Sequence, residues 1–182
     1  MQNKLDSLTQ AELQDEIQKL ARDIKDSLSK RGEMVATAES CTGGLVASHL
    51  VDIPGSSAVL AGGIVAYQNQ VKQDLLGVPS EILDTVGAVS AETVEAMAQG
   101  ARRQFHCEWA VATTGIAGPG GEEPGKPVGT VWMAVANSQK TEIFCENFTG
   151  NRTQIREKSV YKVLCKLYFE IITRKSTCTK EH

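Results

Sequence analysis

From Ile53 to Val71, nineteen consecutive residues carry no charge. A stretch like this either crosses a membrane or is buried in a folded domain. It contains Pro54, Gly55, Ser56, Ser57, Gln68, Asn69 and Gln70. Hydrocarbon would penalise such polar and turn-forming groups by several kcal/mol. The remaining reading is a buried strand, Val59 to Tyr67, set between turns, with Val71 to Leu76 beginning a helix.

The rest of the chain alternates in the same way. Thr9-Gln-Ala-Glu12 fits a capping box, in which two side chains satisfy orphan N–H groups. Leu13, Ile17, Leu20, Ile24 and Leu28 then recur at helical spacing until Gly32. Met34 to Ala38 reads as a strand, and Glu39 to Gly44 as a small-residue turn into a helix from Leu45 to Val51. Pro79 opens a short helix closed by Gly87. Ser90 caps a longer one with Val94, Met97, Ala98, Ala101 and Phe105 inward. Trp109 to Thr114 is a third strand, followed by a Gly- and Pro-rich loop to Pro127. Val128 to Ala136 and Glu142 to Phe148 form an antiparallel pair around a polar turn. A last helix runs from about Thr153 to Thr173, with Ile155, Val160, Val163, Leu164, Leu167 and Ile171 inward. Strands alternating with helices imply an α/β domain with a mostly parallel sheet, which the late hairpin makes mixed. The expected division is an N-terminal amphipathic helix (1–33), one domain (34–174) and a flexible tail (175–182).

Composition removes some function classes. The 182 residues carry a net charge of −3, so no surplus of cations is available to displace counterions from nucleic acid. The five cysteines show no Cys-x-x-Cys spacing, which leaves neither a zinc site nor a redox motif to expect. The first residues lack the apolar run of a signal peptide, so a cytoplasmic protein with no membrane partner is expected.

Two strand-to-helix segments are rich in small and polar residues, and ligands of open α/β sheets bind at such ends. The first holds Ser40, Cys41 and Thr42 ahead of Gly43 and Gly44. Unpaired N–H groups at the following helix start could hold a phosphate or an oxyanion, or the segment is simply a helix cap. Cys41 would need a thiolate and a histidine, and none of His49, His106 and His182 has an obvious claim, so it reads as a small buried filler. Ser40 could use a lysine base if burial keeps that amine neutral. Lys72 is the only Lys or Arg between Arg31 and Arg102, and it follows the uncharged strand. It is either that base, with Tyr67 to relay a proton or fix it, or an ordinary surface lysine.

The second segment runs from Thr113 to Gly121. Further along, Gly120 to Lys126 matches most of a P-loop, but Pro127 stands where Mg²⁺ needs Ser or Thr, and Glu122 and Glu123 would repel phosphate. The loop is a pocket wall or an irregular connection. Arg152 and Arg156, four apart at the start of the last helix, oppose its dipole unless a phosphate or a carboxylate meets them; a solvated helix start is the other reading.

Five motifs occur in order: Thr37-Ala-Glu-Ser-Cys-Thr-Gly-Gly44, Gly63-Ile-Val-Ala-Tyr-Gln-Asn-Gln-Val-Lys72, Gly87-Ala-Val-Ser90, Thr114-Gly-Ile-Ala-Gly-Pro119 and Lys126-Pro-Val-Gly-Thr-Val-Trp132. With them the chain, over about residues 34–174, closely resembles the C-terminal domain of the competence/damage-inducible protein CinA in its stand-alone form. Departures are small: Gln68 stands where Ser is common, and the loop carries Glu122-Glu-Pro-Gly125. The resemblance implies a three-layer α/β/α sandwich, a homo-oligomer (most simply a dimer) and an amidase. The implied reaction hydrolyses the carboxamide of nicotinamide mononucleotide to nicotinate mononucleotide and ammonia.

The family's nucleophile falls on Ser40, and its assisting tyrosine and lysine fall on Tyr67 and Lys72. N–H groups near Thr42 and Gly43 would steady the oxyanion. Substrate contacts are expected from Glu39, Thr42, Gly43, Asn69, Thr114, Gly115, Ala117, Gly118, Arg152 and Arg156. Neither a metal nor a cofactor is expected. The alternative is a non-catalytic nucleotide-binding or competence/damage-related interaction module on the same fold.

Overall fold

The structure is a computed structural model that describes residues 5–174. The tail expected from Lys175 lies outside the described residues. In chain order the elements are α1 (Gln10–Arg31), β1 (Val35–Glu39), α2 (Leu45–Val51), β2 (Leu60–Val65), α3 (Asn69–Leu76), α4 (Ser80–Thr85), α5 (Ala91–Gln104), β3 (Trp109–Gly115), β4 (Thr130–Ala136), β5 (Thr141–Asn147) and α6 (Arg152–Thr173). A 3₁₀ turn, Ser56–Ala58, precedes β2.

The five strands lie in the order β2-β1-β3-β4-β5. β1 pairs in parallel with both β2 and β3, whereas β4 is antiparallel to β3 and to β5. Four strands thus point one way and β4 alone opposes them. The expected parallel bias holds for direction, while the pairings divide evenly.

The alternation of side chains along the strands builds three layers. Ala36, Ala38, Ala110, Ala112, Ala134 and Ala136 share one face and join the core formed with Val94, Met97, Ala98 and Ala101 of α5. Register sets Ala36 beside Ala110 and Ala110 beside Ala136, so a strip of methyl groups crosses three strands. Small side chains there let α5 lie close to the sheet. α5 also meets α3 backbone to backbone: a Cβ on Gly100 would stand 2.0 Å from the Leu76 carbonyl oxygen. That contact holds the helix carrying Lys72.

The opposite face presents larger groups, among them Val35, Trp109, Val111, Val131, Met133 and Val135, to α1, α2 and α6. α1 starts on the Thr9–Glu12 capping box and stops at Gly32, whose φ of 63° suits glycine. It buries Leu13, Ile17, Ala21, Ile24 and Leu28, and Leu20 packs at the margin. Gln10 and Gln14 donate to the Glu157 carboxylate of α6. α1 therefore shares one core with α2, α6 and this face of the sheet.

Candidate active site

The carboxyl ends of β1, β2 and β3 lie side by side, and the segments leaving them build one cavity of about 200 Å³. Ser40, Cys41, Tyr67, Asn69, Lys72, Ala88, Val89, Thr114, Gly115, Ala117 and Arg152 line it. Ser40 follows β1 directly, and its N–H donates to the Thr113 carbonyl at 2.9 Å, which ties the residue to β3. Ala66 N–H donates to the Glu39 carbonyl at 2.8 Å, tying the chain after β2 to β1.

Lys72 lies on the first turn of α3 and is only 1% exposed. Its Nζ donates to the carbonyl oxygens of Ala66 (2.9 Å) and Tyr67 (3.2 Å). Burial pulls its pKa below the ordinary lysine value, and the neighbouring Cys41 acts weakly in the other direction. No carboxylate pairs with this amine among the described residues. Desolvation without a counter-ion is what makes a lysine available as a base near neutral pH. Beside it, burial pushes the Cys41 thiol up to about 12, which disfavours the thiolate that a cysteine nucleophile needs.

Tyr67 is 61% exposed at the cavity mouth, where its hydroxyl meets Arg152 Nη2 at 3.1 Å. Arg152 Nη1 donates to the Gly118 carbonyl at 2.7 Å. Thr114 is turned into the wall, its hydroxyl donating to the Ala88 carbonyl at 2.7 Å. Gly115 must be small, since a Cβ there would stand 2.6 Å from the Thr130 carbonyl oxygen.

Three of the residues expected to contact substrate turn their side chains to partners within the protein. The Glu39 carboxylate is buried and accepts from Thr42 Oγ1 (2.8 Å) and from the N–H groups of Gly44 (2.9 Å), Val46 (3.0 Å) and Ala47 (2.9 Å). It caps α2 from the preceding strand, so the N–H groups of Gly44, Val46 and Ala47 are taken, while Glu39 does not take those of Thr42 and Gly43. The Thr42 hydroxyl is buried between Glu39 and Thr113. Arg156 turns to the backbone, donating Nε to the Cys41 carbonyl (3.1 Å) and Nη2 to the Thr42 carbonyl (2.7 Å). Carbonyl oxygens thus offset the unfavourable position of both arginines at the start of α6. Gly43, at φ 62°, sits under that guanidinium, and a Cβ there would lie 3.3 Å from Nη2.

Ala88 and Val89 were not singled out from the sequence. They form an apolar wall, and the only signal for them is their place in the Gly87-Ala-Val-Ser90 motif. Among the described residues no group of three or more His, Cys, Asp or Glu could hold a metal ion, and no helix is long and apolar enough to cross a membrane.

The Glu39 cap allows a direct test. Glu39→Ala leaves one hydroxyl and three backbone donors without their acceptor, which is expected to cost about 3–5 kcal/mol. The thermal midpoint should fall by roughly 6–20 °C. A drop of less than about 2 °C in a melting experiment would mean that water replaces the carboxylate and that the cap is dispensable.

Comparison with known proteins agrees with the motifs. The sequence profile of the CinA C-terminal domain matches residues 17–171. The chain belongs to the CinA C-terminal domain family. The match reaches back into α1, in keeping with that helix's place in the core.

CinA-like proteins from Synechococcus sp. (strain CC9902) and Anaeromyxobacter sp. (strain K) are 43% and 50% identical to it over 157 and 137 residues. These alignments cover 85% and 75% of this chain but 38% and 34% of those relatives. The chain therefore spans little more than a third of the length of the curated relatives it matches. Among solved structures, the competence/damage inducible protein CihA from Agrobacterium tumefaciens superposes with a TM-score of 0.83 at 44% identity, covering 86% of this chain and 96% of that one. The competence damage-inducible protein A from Klebsiella pneumoniae gives 0.85 at 32% identity, covering 87% and 99%. Both support the α/β sandwich assignment for this chain.

Proposed function

We propose that this CinA-family domain is a nicotinamide-nucleotide amidase, hydrolysing the carboxamide of nicotinamide mononucleotide to nicotinate mononucleotide and ammonia. The observation that carries the reading is the buried amine of Lys72, without a carboxylate partner, in the same cavity as Ser40. Neutral Lys72 takes the Ser40 proton while Ser40 Oγ bonds to the carboxamide carbon. The C–N bond then breaks, the proton passes to the leaving nitrogen and ammonia departs. Water attacks the resulting ester, Lys72 accepts its proton and returns one to Oγ, and nicotinate mononucleotide is released. Tyr67 and the Ala88–Val89 wall suit the pyridinium ring, since an aromatic face attracts a cation. Arg152, at the mouth, suits the phosphate as a bidentate donor.

The test is to incubate the protein with nicotinamide mononucleotide in the presence of EDTA and to measure ammonia. Release is expected, with kcat/KM climbing as pH rises through the lowered pKa of Lys72, because the working form is the neutral amine. Nicotinamide riboside, lacking the phosphate, should react at least about 10-fold less efficiently, through KM. Thermal stabilisation by the nucleotide without any ammonia would instead favour a non-catalytic binding module.

A further inference from the structure

The turn after Ser40 is gripped by two opposite charges. Glu39 takes the donor side, binding the N–H groups of Gly44, Val46 and Ala47. Arg156 takes the acceptor side, binding the Cys41 and Thr42 carbonyls from a helix more than a hundred residues later. In a trans peptide the C=O and the N–H point in opposite directions. Drawing the Cys41 and Thr42 carbonyls toward Arg156 therefore turns the N–H groups of Thr42 and Gly43 away from it. Neither of these donors is used by Glu39. The Thr42 N–H lies against the Cys41 sulfur, a weak acceptor that a developing oxyanion would outcompete. A guanidinium on the carbonyl also polarises the peptide and strengthens its N–H as a donor.

We propose that Arg156 is a positioning residue, holding two consecutive peptide groups so that the N–H groups of Thr42 and Gly43 receive the negative oxygen formed when Ser40 attacks. The inference rests on the amidase reading but concerns how its transition state is stabilised. It departs from the expectation that Arg156 binds substrate. The half-buried guanidinium is tied to backbone, whereas Arg152 faces the cavity. The same clamp accounts for glycine at position 43, where a left-handed φ and a guanidinium 3.3 Å from any Cβ leave little room for a side chain.

Arg156→Ala and Arg156→Lys separate the possibilities. kcat and KM are measured for nicotinamide mononucleotide, together with the rate at which a fluorophosphonate probe labels Ser40, because that reaction also builds negative charge on oxygen. Arg156→Ala is expected to lower kcat and the labelling rate by about 10²-fold, with KM little changed and with partial rescue by methylguanidine. Arg156→Lys keeps the charge but lacks the planar fork that presents Nε and Nη2 to separate carbonyls. It should fall between Arg156→Ala and the wild type, and this variant carries the test if the alanine form does not fold. A rise in KM at constant kcat would overturn the proposal by making Arg156 a substrate contact. Unchanged kcat and labelling would overturn it by reducing the clamp to a brace. A wild-type protein that labels at Ser40 but releases no ammonia would count against the substrate alone; slower labelling in Arg156→Ala would then still support the clamp. Failure of the wild type to label at all would overturn both.

Discussion

Ser40→Ala is expected to cut ammonia release from nicotinamide mononucleotide by about 10⁴-fold or more. Removing one half-exposed hydroxyl should leave stability within about 0.5 kcal/mol of the wild type. The size of the loss follows from the absence of a substitute. The adjacent Cys41 thiol, with its pKa pushed up to about 12, stays protonated at any working pH, and the Thr114 hydroxyl that also lines the cavity is turned to the Ala88 carbonyl. Cys41→Ser should accordingly remain active. A continuous ammonia assay on the two variants checks the assignment, and undiminished release by Ser40→Ala would remove Ser40 from the mechanism.

Lys72→Met should lower kcat by about 10²–10⁴-fold, the usual worth of a general base. It should also change how stability responds to pH. The folded state lowers the lysine pKa through burial, so between that value and the ordinary lysine range near 10.5 the unfolded chain binds more protons than the native one. Stability of the wild type therefore rises with pH across this window. Below it the full penalty of a buried charge is present; above it the penalty is gone. Methionine removes the penalty at every pH, at the cost of two hydrogen bonds to the Ala66 and Tyr67 carbonyls. The difference in thermal midpoint, variant minus wild type, is therefore expected to shrink as pH rises from 7 toward 10.5, by about 2–4 °C for each kcal/mol of burial penalty lost. Parallel melting curves for the two proteins over that range would show that the amine is not desolvated in the native state.

Much of the layout was legible before any coordinates. Helical spacing marked the buried faces of α1, α5 and α6, and a lone lysine behind an uncharged strand pointed to Lys72. These signals are local, or depend on what is missing nearby. The role of Glu39 was not legible because its carboxylate reaches over a turn to donors at positions 44, 46 and 47, a geometry that depends on Gly44 at φ 95°. Nor could spacing divide the two arginines. They lie one helical turn apart, yet Arg152 meets Tyr67 and Gly118 whereas Arg156 meets the backbone of Cys41 and Thr42. Contacts across such sequence distances leave no periodic trace in a single chain. The packing partner of α1 was not legible for the same reason: its amphipathic face was plain, but α6 follows more than a hundred residues later.

That pairing of α1 with α6 has a consequence for synthesis on the ribosome. The turn that carries Ser40 emerges before most of the domain, with its own glutamate able to cap the helix that follows. Its second grip arrives only with residue 156, and the helix that brings it docks on α1, more than a hundred residues earlier. A nascent chain is therefore expected to stay inert until nearly all of the domain has left the exit tunnel, with closure between distant segments as its slow step.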